Sequence, residues 1–276
     1  MRIDAHHHVW RLARGDYGWL TPKLAPIYRD FNVDDLRPHL AAAGIAGTVL
    51  VQAAATEAET EFILEVAEKS GGLVKAVVGW IDFEAADAAS RLERLARNPR
   101  LRGVRPMMQG IPDTDWMLKP SLEPAFRAVI DLGLRFDALV QPRHLVNLRK
   151  LLERYPGLDL LVDHAAKPRI ATGEREPWAS DMRALARETK ALCKFSGLIT
   201  EASTAWTVAD LRPYAEHLLD CFGPERLIWG SDWPVLALAG GYDRWWSATQ
   251  ALLGPLDPPS RERILGANAA RFYGIG

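Results

Sequence analysis

Gly47-Thr-Val-Leu-Val-Gln52, followed after Ala53-Ala-Ala-Thr56 by Glu57-Ala-Glu-Thr-Glu-Phe-Ile-Leu-Glu-Val-Ala-Glu-Lys69, is a strand and a helix written in succession. The first run is short, apolar and rich in valine; the second is longer and places its apolar residues at helical spacing. The same pair recurs along the chain. Strand candidates are Ile3 to His8, Gly47 to Gln52, Val74 to Ile81, Gly103 to Met107, Leu134 to Val140, Leu158 to Asp163, Cys193 to Ser196 and Leu227 to Gly230. Helix candidates are Val33 to Ala43, Glu57 to Lys69, Ala85 to Arg97, Ser121 to Asp131, Arg143 to Arg154, Pro177 to Lys190, Val208 to Cys221 and Trp245 to Leu253. Boundary residues agree: Gly44 and Gly133 lie just past helices, Pro177 lies at a helix start, and Pro156-Gly157 separates a helix from a strand.

Eight such units in about 250 residues, without a break in composition, predict an α/β fold: a single (β/α)8 TIM-type barrel over residues 1–276. Pro258 to Tyr273 reads as a closing C-terminal helix. An open doubly wound sheet is the alternative, but no Gly-x-Gly-x-x-Gly phosphate loop follows any strand. A barrel builds its active site at the C-terminal ends of its strands, so the residues closing each apolar run are the informative ones.

Composition narrows the partners. The 34 basic and 35 acidic residues nearly cancel and form no long run of one sign, which argues against nucleic acid or a membrane surface and for a small molecule. Cys193 and Cys221 lack ligand-like spacing and read as reduced thiols, which with the absence of a leader-like or spanning apolar segment leads to the expectation of a cytoplasmic protein.

The first strand ends in His6-His7-His8. Alternation turns His6 and His8 to one face and His7 to the other, so two imidazoles converge on a metal ion, a water or a carbonyl. An expression tag also yields a histidine run, but this one is short and continuous with Ile3 to Val9. Strand two ends at Gln52, an amide suited to a hydroxyl or water, and strand three at Trp80-Ile81-Asp82. Strand four supplies Arg105, which suits a carboxylate or a carbonyl oxygen. Strand five carries no histidine, strand six gives His164 and Lys167, and strand eight gives Asp232 after Trp229-Gly230-Ser231. An acid in that position is a candidate to take a proton from water. His39 and His217 read as surface residues on helices, and His144 as a helix cap or packing residue.

His6-x-His8, His164 and Gly230-Ser-Asp232-Trp-Pro234 together resemble the amidohydrolase superfamily. Ile3-Asp-Ala-His-x-His-x-Trp10, Gly15-Asp-Tyr-Gly-Trp19-Leu20, Gly103-Val-Arg105, Asp163-His164-x-x-Lys167-Pro168, Phe195-Ser-Gly-Leu198 and Asn268-Ala-x-x-Phe272-Tyr273 are similar to its lactonase branch. That branch includes enzymes acting on L-fuconolactone, L-rhamnonolactone and 2-pyrone-4,6-dicarboxylate. Binuclear members of the superfamily carry a bridging lysine or glutamate on strand four and a histidine on strand five; Arg105 and the missing histidine depart from this, so a two-metal centre is not expected. His6, His8, His164 and Asp232 could hold one zinc, or the site could work with no cofactor, as the resemblance to the pyrone hydrolase implies.

Lactone hydrolysis requires an activated water and a polarised carbonyl. Asp232 is the expected base, with His164 and Arg105 as catalytic partners and His6, His8, Gln52, Trp19, Trp80, Trp116, Lys167 and Trp233 as substrate contacts. The aromatic residues near predicted rim segments suit a neutral sugar ring better than a dicarboxylate, which would gather several arginines. The expected substrate is L-fuconolactone or a similar aldonolactone of sugar degradation, with a pyrone dicarboxylate or a zinc-dependent decarboxylation as alternatives.

Overall fold

The computed structural model describes residues 1–276. Eight parallel strands are hydrogen-bonded in sequential order, β1 (Ile3–His7), β2 (Gly47–Val51), β3 (Val74–Gly79), β4 (Leu101–Val104), β5 (Arg135–Ala138), β6 (Leu160–Val162), β7 (Leu192–Phe195) and β8 (Leu227–Trp229). Helices α1 (Val33–Ala43) to α8 (Tyr242–Leu253) follow the strands in turn, so the architecture is the (β/α)8 barrel and not the open doubly wound sheet. The barrel shuts beyond the ends of its first and last strands. His8 N–H donates to the Trp233 carbonyl at 2.7 Å, and Asp232 N–H donates to the His6 carbonyl at 2.8 Å.

Alternate residues of the strands fill the barrel. Ile3, Ala5, Val49, Val51, Ala76, Val78, Leu161 and Ile228 form an apolar interior that is almost wholly buried. The opposite faces join the helices in a larger core that includes Leu36, Ile63, Leu92, Phe126, Leu148 and Leu218. Below the barrel sits the closing segment, which is one helix in the sequence reading and three pieces in the structure: α9 (Pro258–Glu262), a wide π turn over Arg263–Ala267, and α10 (Asn268–Tyr273). A Cβ on Gly266, within that turn, would lie 2.1 Å from the Met1 carbonyl oxygen, so the backbone leading into the first strand approaches the turn closely.

Other boundaries move for local reasons. The helix expected from Ala85 begins only at Ala88, because the Asp82 side chain accepts the Glu84 N–H and holds the preceding residues in turns. The fourth strand ends at Val104, short of Met107, where Pro106 offers no N–H to a ladder. His217 is buried rather than at the surface, with Nε2 against the Ala179 carbonyl at 2.8 Å.

Candidate active site

At the C-terminal mouth, β1 delivers His6 and His8 to one face, where their Nε2 atoms lie 3.2 Å apart, while His7 points away to the Thr48 hydroxyl. Asp232 follows β8 in a left-handed conformation (φ 64°), with its Oδ1 3.3 Å from His8 Nε2, 3.7 Å from His6 Nε2 and 3.8 Å from His164 Nε2. The Asp232 carboxylate thus stands within 3.8 Å of three imidazoles that come from two other strand ends. Asp4 fixes the loop that carries the acid: its Oδ1 accepts the Ser231 and His6 amides and its Oδ2 the Tyr242 hydroxyl.

His164 stands on an unusual support. Residues His164, Ala165, Ala166 and Lys167 all have φ between 50° and 56°, a turn of the left-handed sense that L-residues avoid. Its Nδ1 lies 2.8 Å from the Ser196 hydroxyl. Gly197 is packed against it so closely that a Cβ there would stand 2.6 Å from the His164 Cβ.

Below the imidazoles lies a buried charge network. Lys194 Nζ is 2.7 Å from Asp137 Oδ2, 2.7 Å from Asp163 Oδ1 and 3.0 Å from His6 Nδ1, and none of these side chains is exposed. Tyr273, from α10, donates its hydroxyl to Asp137 from beneath. Arg105 NH1 donates to Asp163 Oδ2, and its NH2 to the Gln52 carbonyl. Two cations thus meet two carboxylates, which compensates their desolvation.

Burial drives the site's imidazoles toward the neutral form: His6 falls well below its ordinary value and His164 to about 4. Burial works against the Asp232 charge, but His164, His8 and Lys167 more than offset it and keep the carboxyl below its usual range. At neutral pH the site therefore holds a carboxylate base beside neutral His6 and His164.

A cleft of about 230 Å³ opens over this centre. His8, His164, Arg105, Asp232, Lys167 and Trp19 line it, joined by Ala53, Met107, Gln109, Leu139 and Val235. Trp19 forms part of the roof, with its indole N–H on the Ala53 carbonyl at 2.7 Å. Lys167 is paired with Glu201 at 2.9 Å. His6 lies beneath the cleft, fully buried.

Four residues expected at the substrate lie elsewhere. Gln52 is fully buried and donates to the Arg105 carbonyl, so it braces the arginine. Trp116 packs on Phe83 outside the barrel, and Trp233 packs edge-on against Phe31 at 5.2 Å. Trp80 is half-buried, and its main chain pairs with the Thr60 hydroxyl. Each lies near a strand end in sequence, but none of the four lines the cleft. Sequence reasoning in turn missed Asp137 and Lys194. Their signal was a charged residue inside an otherwise apolar strand that a barrel buries on both faces.

The fit of a metal can be tested on this geometry. A tetrahedral zinc with bonds of about 2.0–2.1 Å needs donors about 3.3–3.4 Å apart. His6, His8 and Asp232, at 3.2, 3.3 and 3.7 Å from one another, are near that spacing, whereas His164, 3.8 Å from Asp232, falls outside that set and groups with His6 and Asp163. His6, however, does not fit as a ligand: Lys194 Nζ lies 3.0 Å from its Nδ1 and the Arg105 guanidinium NH1 3.3 Å from its Nε2, so a cation already stands at each ring nitrogen, including the one a metal would need.

The amidohydrolase family model matches residues 3–275. An L-fucono-1,5-lactonase from Burkholderia ambifaria is 46% identical over 99% of this chain and 96% of its own, and an L-fucono-1,5-lactonase from Burkholderia multivorans is 35% identical over 100% and 96%. Crystal structures of an amidohydrolase from Burkholderia multivorans, one with bound HEPES and one with bound zinc, superpose with a TM-score of 0.93 at 33% identity over the whole of both chains. Barrel, mouth-facing histidines and near-complete coverage agree: this chain belongs to the amidohydrolase family.

Proposed function

We propose that this protein hydrolyses the ring ester of a neutral sugar lactone, of the L-fucono-1,5-lactone type, to the aldonic acid. The observation that carries the reading is the Asp232 carboxylate beside His8 and His164 in a cleft roofed by Trp19, supported by the names of the two fuconolactonase relatives. Asp232 Oδ1 and His8 Nε2, 3.3 Å apart, take the hydrogens of the attacking water. Asp232 accepts the proton as the water oxygen bonds to the lactone carbonyl carbon. The His164 Nε2–H, with Ser196 donating to Nδ1, stabilises the developing oxyanion. When the ring C–O bond breaks, Asp232 returns the proton to the departing ring oxygen, leaving a hydroxy acid.

A dicarboxylate such as a pyrone diacid fits less well. Arg105 spends its NH1 and NH2 groups on Asp163 and the Gln52 carbonyl, and Lys167 is paired with Glu201. The test is acid release from a panel of sugar lactones and 2-pyrone-4,6-dicarboxylate, read with a pH indicator with and without chelator. Turnover of an aldonolactone that survives chelation is expected. Turnover of the pyrone alone, or carbon dioxide release from an aromatic acid in a metal-dependent assay, would overturn the reading.

A further inference from the structure

We propose that the open half of the barrel mouth is a second sugar subsite, so that the protein takes lactones whose ring carries a further neutral glycosyl unit. The inference rests on the lactonase reading and extends it. The reacting centre gathers at the ends of β1, β6 and β8, beside Trp19. Next to it a chamber of about 550 Å³ lies over the loops that follow β4 to β7, on the face where barrels bind their ligands. Gln109 and Lys167 line both spaces, so the two adjoin. The cleft alone, about 230 Å³, is smaller than the roughly 300–1,000 Å³ of pockets that enclose a whole ligand of drug size, and the chamber supplies further room.

The chamber offers what hydroxyl groups use. Gln109, Gln141, Arg143, Lys167, Arg169 and Glu201 make up most of its wall. Gln109 engages the protein through its main chain, with its N–H on the Leu139 carbonyl and its own carbonyl accepting from Arg143. Its side-chain amide is left to present two hydrogens and an acceptor. Gln141 gives Oε1 to Arg143 and keeps its NH2 group. Lys167 spends one N–H on Glu201 Oε1 at 2.9 Å, which leaves two hydrogens on the ammonium and the second carboxylate oxygen. Donors and acceptors thus stand side by side, and a sugar hydroxyl both gives and takes a hydrogen bond. An anion is served less well. Lys167 and Arg169 already face the carboxylates of Glu201 and Glu174, and Arg143 turns Nε, NH1 and NH2 to Gln141 and to the carbonyls of Pro112, Gln109 and Ile111.

The test compares initial rates of acid release from L-fucono-1,5-lactone and from the same lactone carrying a glucosyl unit at O2, O3 or O4. At least one glucosylated lactone should show kcat/KM about tenfold above the bare lactone, the gain expected of one or two added hydrogen bonds. Gly110 lies in the chamber wall but not in the cleft, and a Cβ there meets nothing within 4 Å, so Gly110→Trp is accommodated and narrows the chamber. That variant should remove the advantage and leave the rate on the bare lactone unchanged; Gln141→Ala should reduce the advantage in the same sense. Turnover of the bare lactone alone, or an equal loss on both substrates in both variants, would refute the subsite and leave the lactonase reading standing. Turnover of none of these lactones would refute both. A glucuronosyl lactone preferred to the glucosyl one would mark an anion site and refute the neutral assignment.

Discussion

Asp232 donates its backbone N–H to the carbonyl of His6 at 2.8 Å, so the candidate base and the first histidine are tied by main chain although 226 positions separate them. The side chains inherit that registration. Asp232→Asn keeps the shape and removes the basic oxygen pair, so turnover should fall on the order of 10³-fold while the melting temperature changes by only about 2–3 °C. Near wild-type turnover in a steady-state assay would remove Asp232 from the base role.

Gly197 and His164 give a packing prediction. Gly197 has φ 67°, and a Cβ there would stand 2.6 Å from the His164 Cβ and 2.7 Å from its Cγ. Gly197→Ala should therefore displace the imidazole, lowering kcat at least tenfold and stability by about 1–3 kcal/mol. Denaturant titration and steady-state kinetics on the same variant check both parts.

The pH profile should report His164. Its neutral form persists down to about pH 4, because burial outweighs the attraction of Asp232 and Asp163, and Asp232 itself stays ionised below the usual carboxylate range. These two groups therefore leave kcat/KM level from about pH 5 upward, with an acid limb near pH 4. A limb near pH 6.5, an unperturbed imidazole, would show that His164 is not buried in this way. The sign for stability follows: the unfolded chain takes this proton near pH 6.5 and the folded one near 4, so the stability present above 6.5 is lost as pH falls through that window. Asp4 and Glu59, raised by burial to about 6 and about 7, act in the opposite sense, so the activity limb isolates His164 better than a melting curve.

The tryptophans separate roof from packing. Trp19 lines the cleft and is 37% exposed, whereas Trp116 is buried against Phe83. Trp19→Ala should raise KM about 2- to 10-fold with a smaller change in kcat, the range expected for loss of one aromatic contact. Trp116→Phe should leave both constants unchanged and lower the melting temperature.

The barrel is legible because each strand–helix pair repeats one local code, seen at Gly47–Val51 and Glu57–Lys69, and eight repeats leave few ways to close. His6, His8, His164 and Asp232 are legible because a polar residue ending an apolar run has a known destination. The tryptophans are not, since proximity to a strand end does not say whether a large side chain turns over the mouth or back onto the helices. Lys194 and Asp137 escape for the opposite reason: they lie within strands, and their meeting is a matter of barrel stagger that no local pattern encodes.

The closure beyond β1 and β8 has its own consequence. The seam is sewn by the amides of His8 and Asp232, so the ring cannot part there without separating base from imidazoles. Opening the barrel at this edge and disabling its chemistry are one event, and a molecule that has lost its site this way has also lost its edge-to-edge continuity, exposing a strand that can pair with another chain.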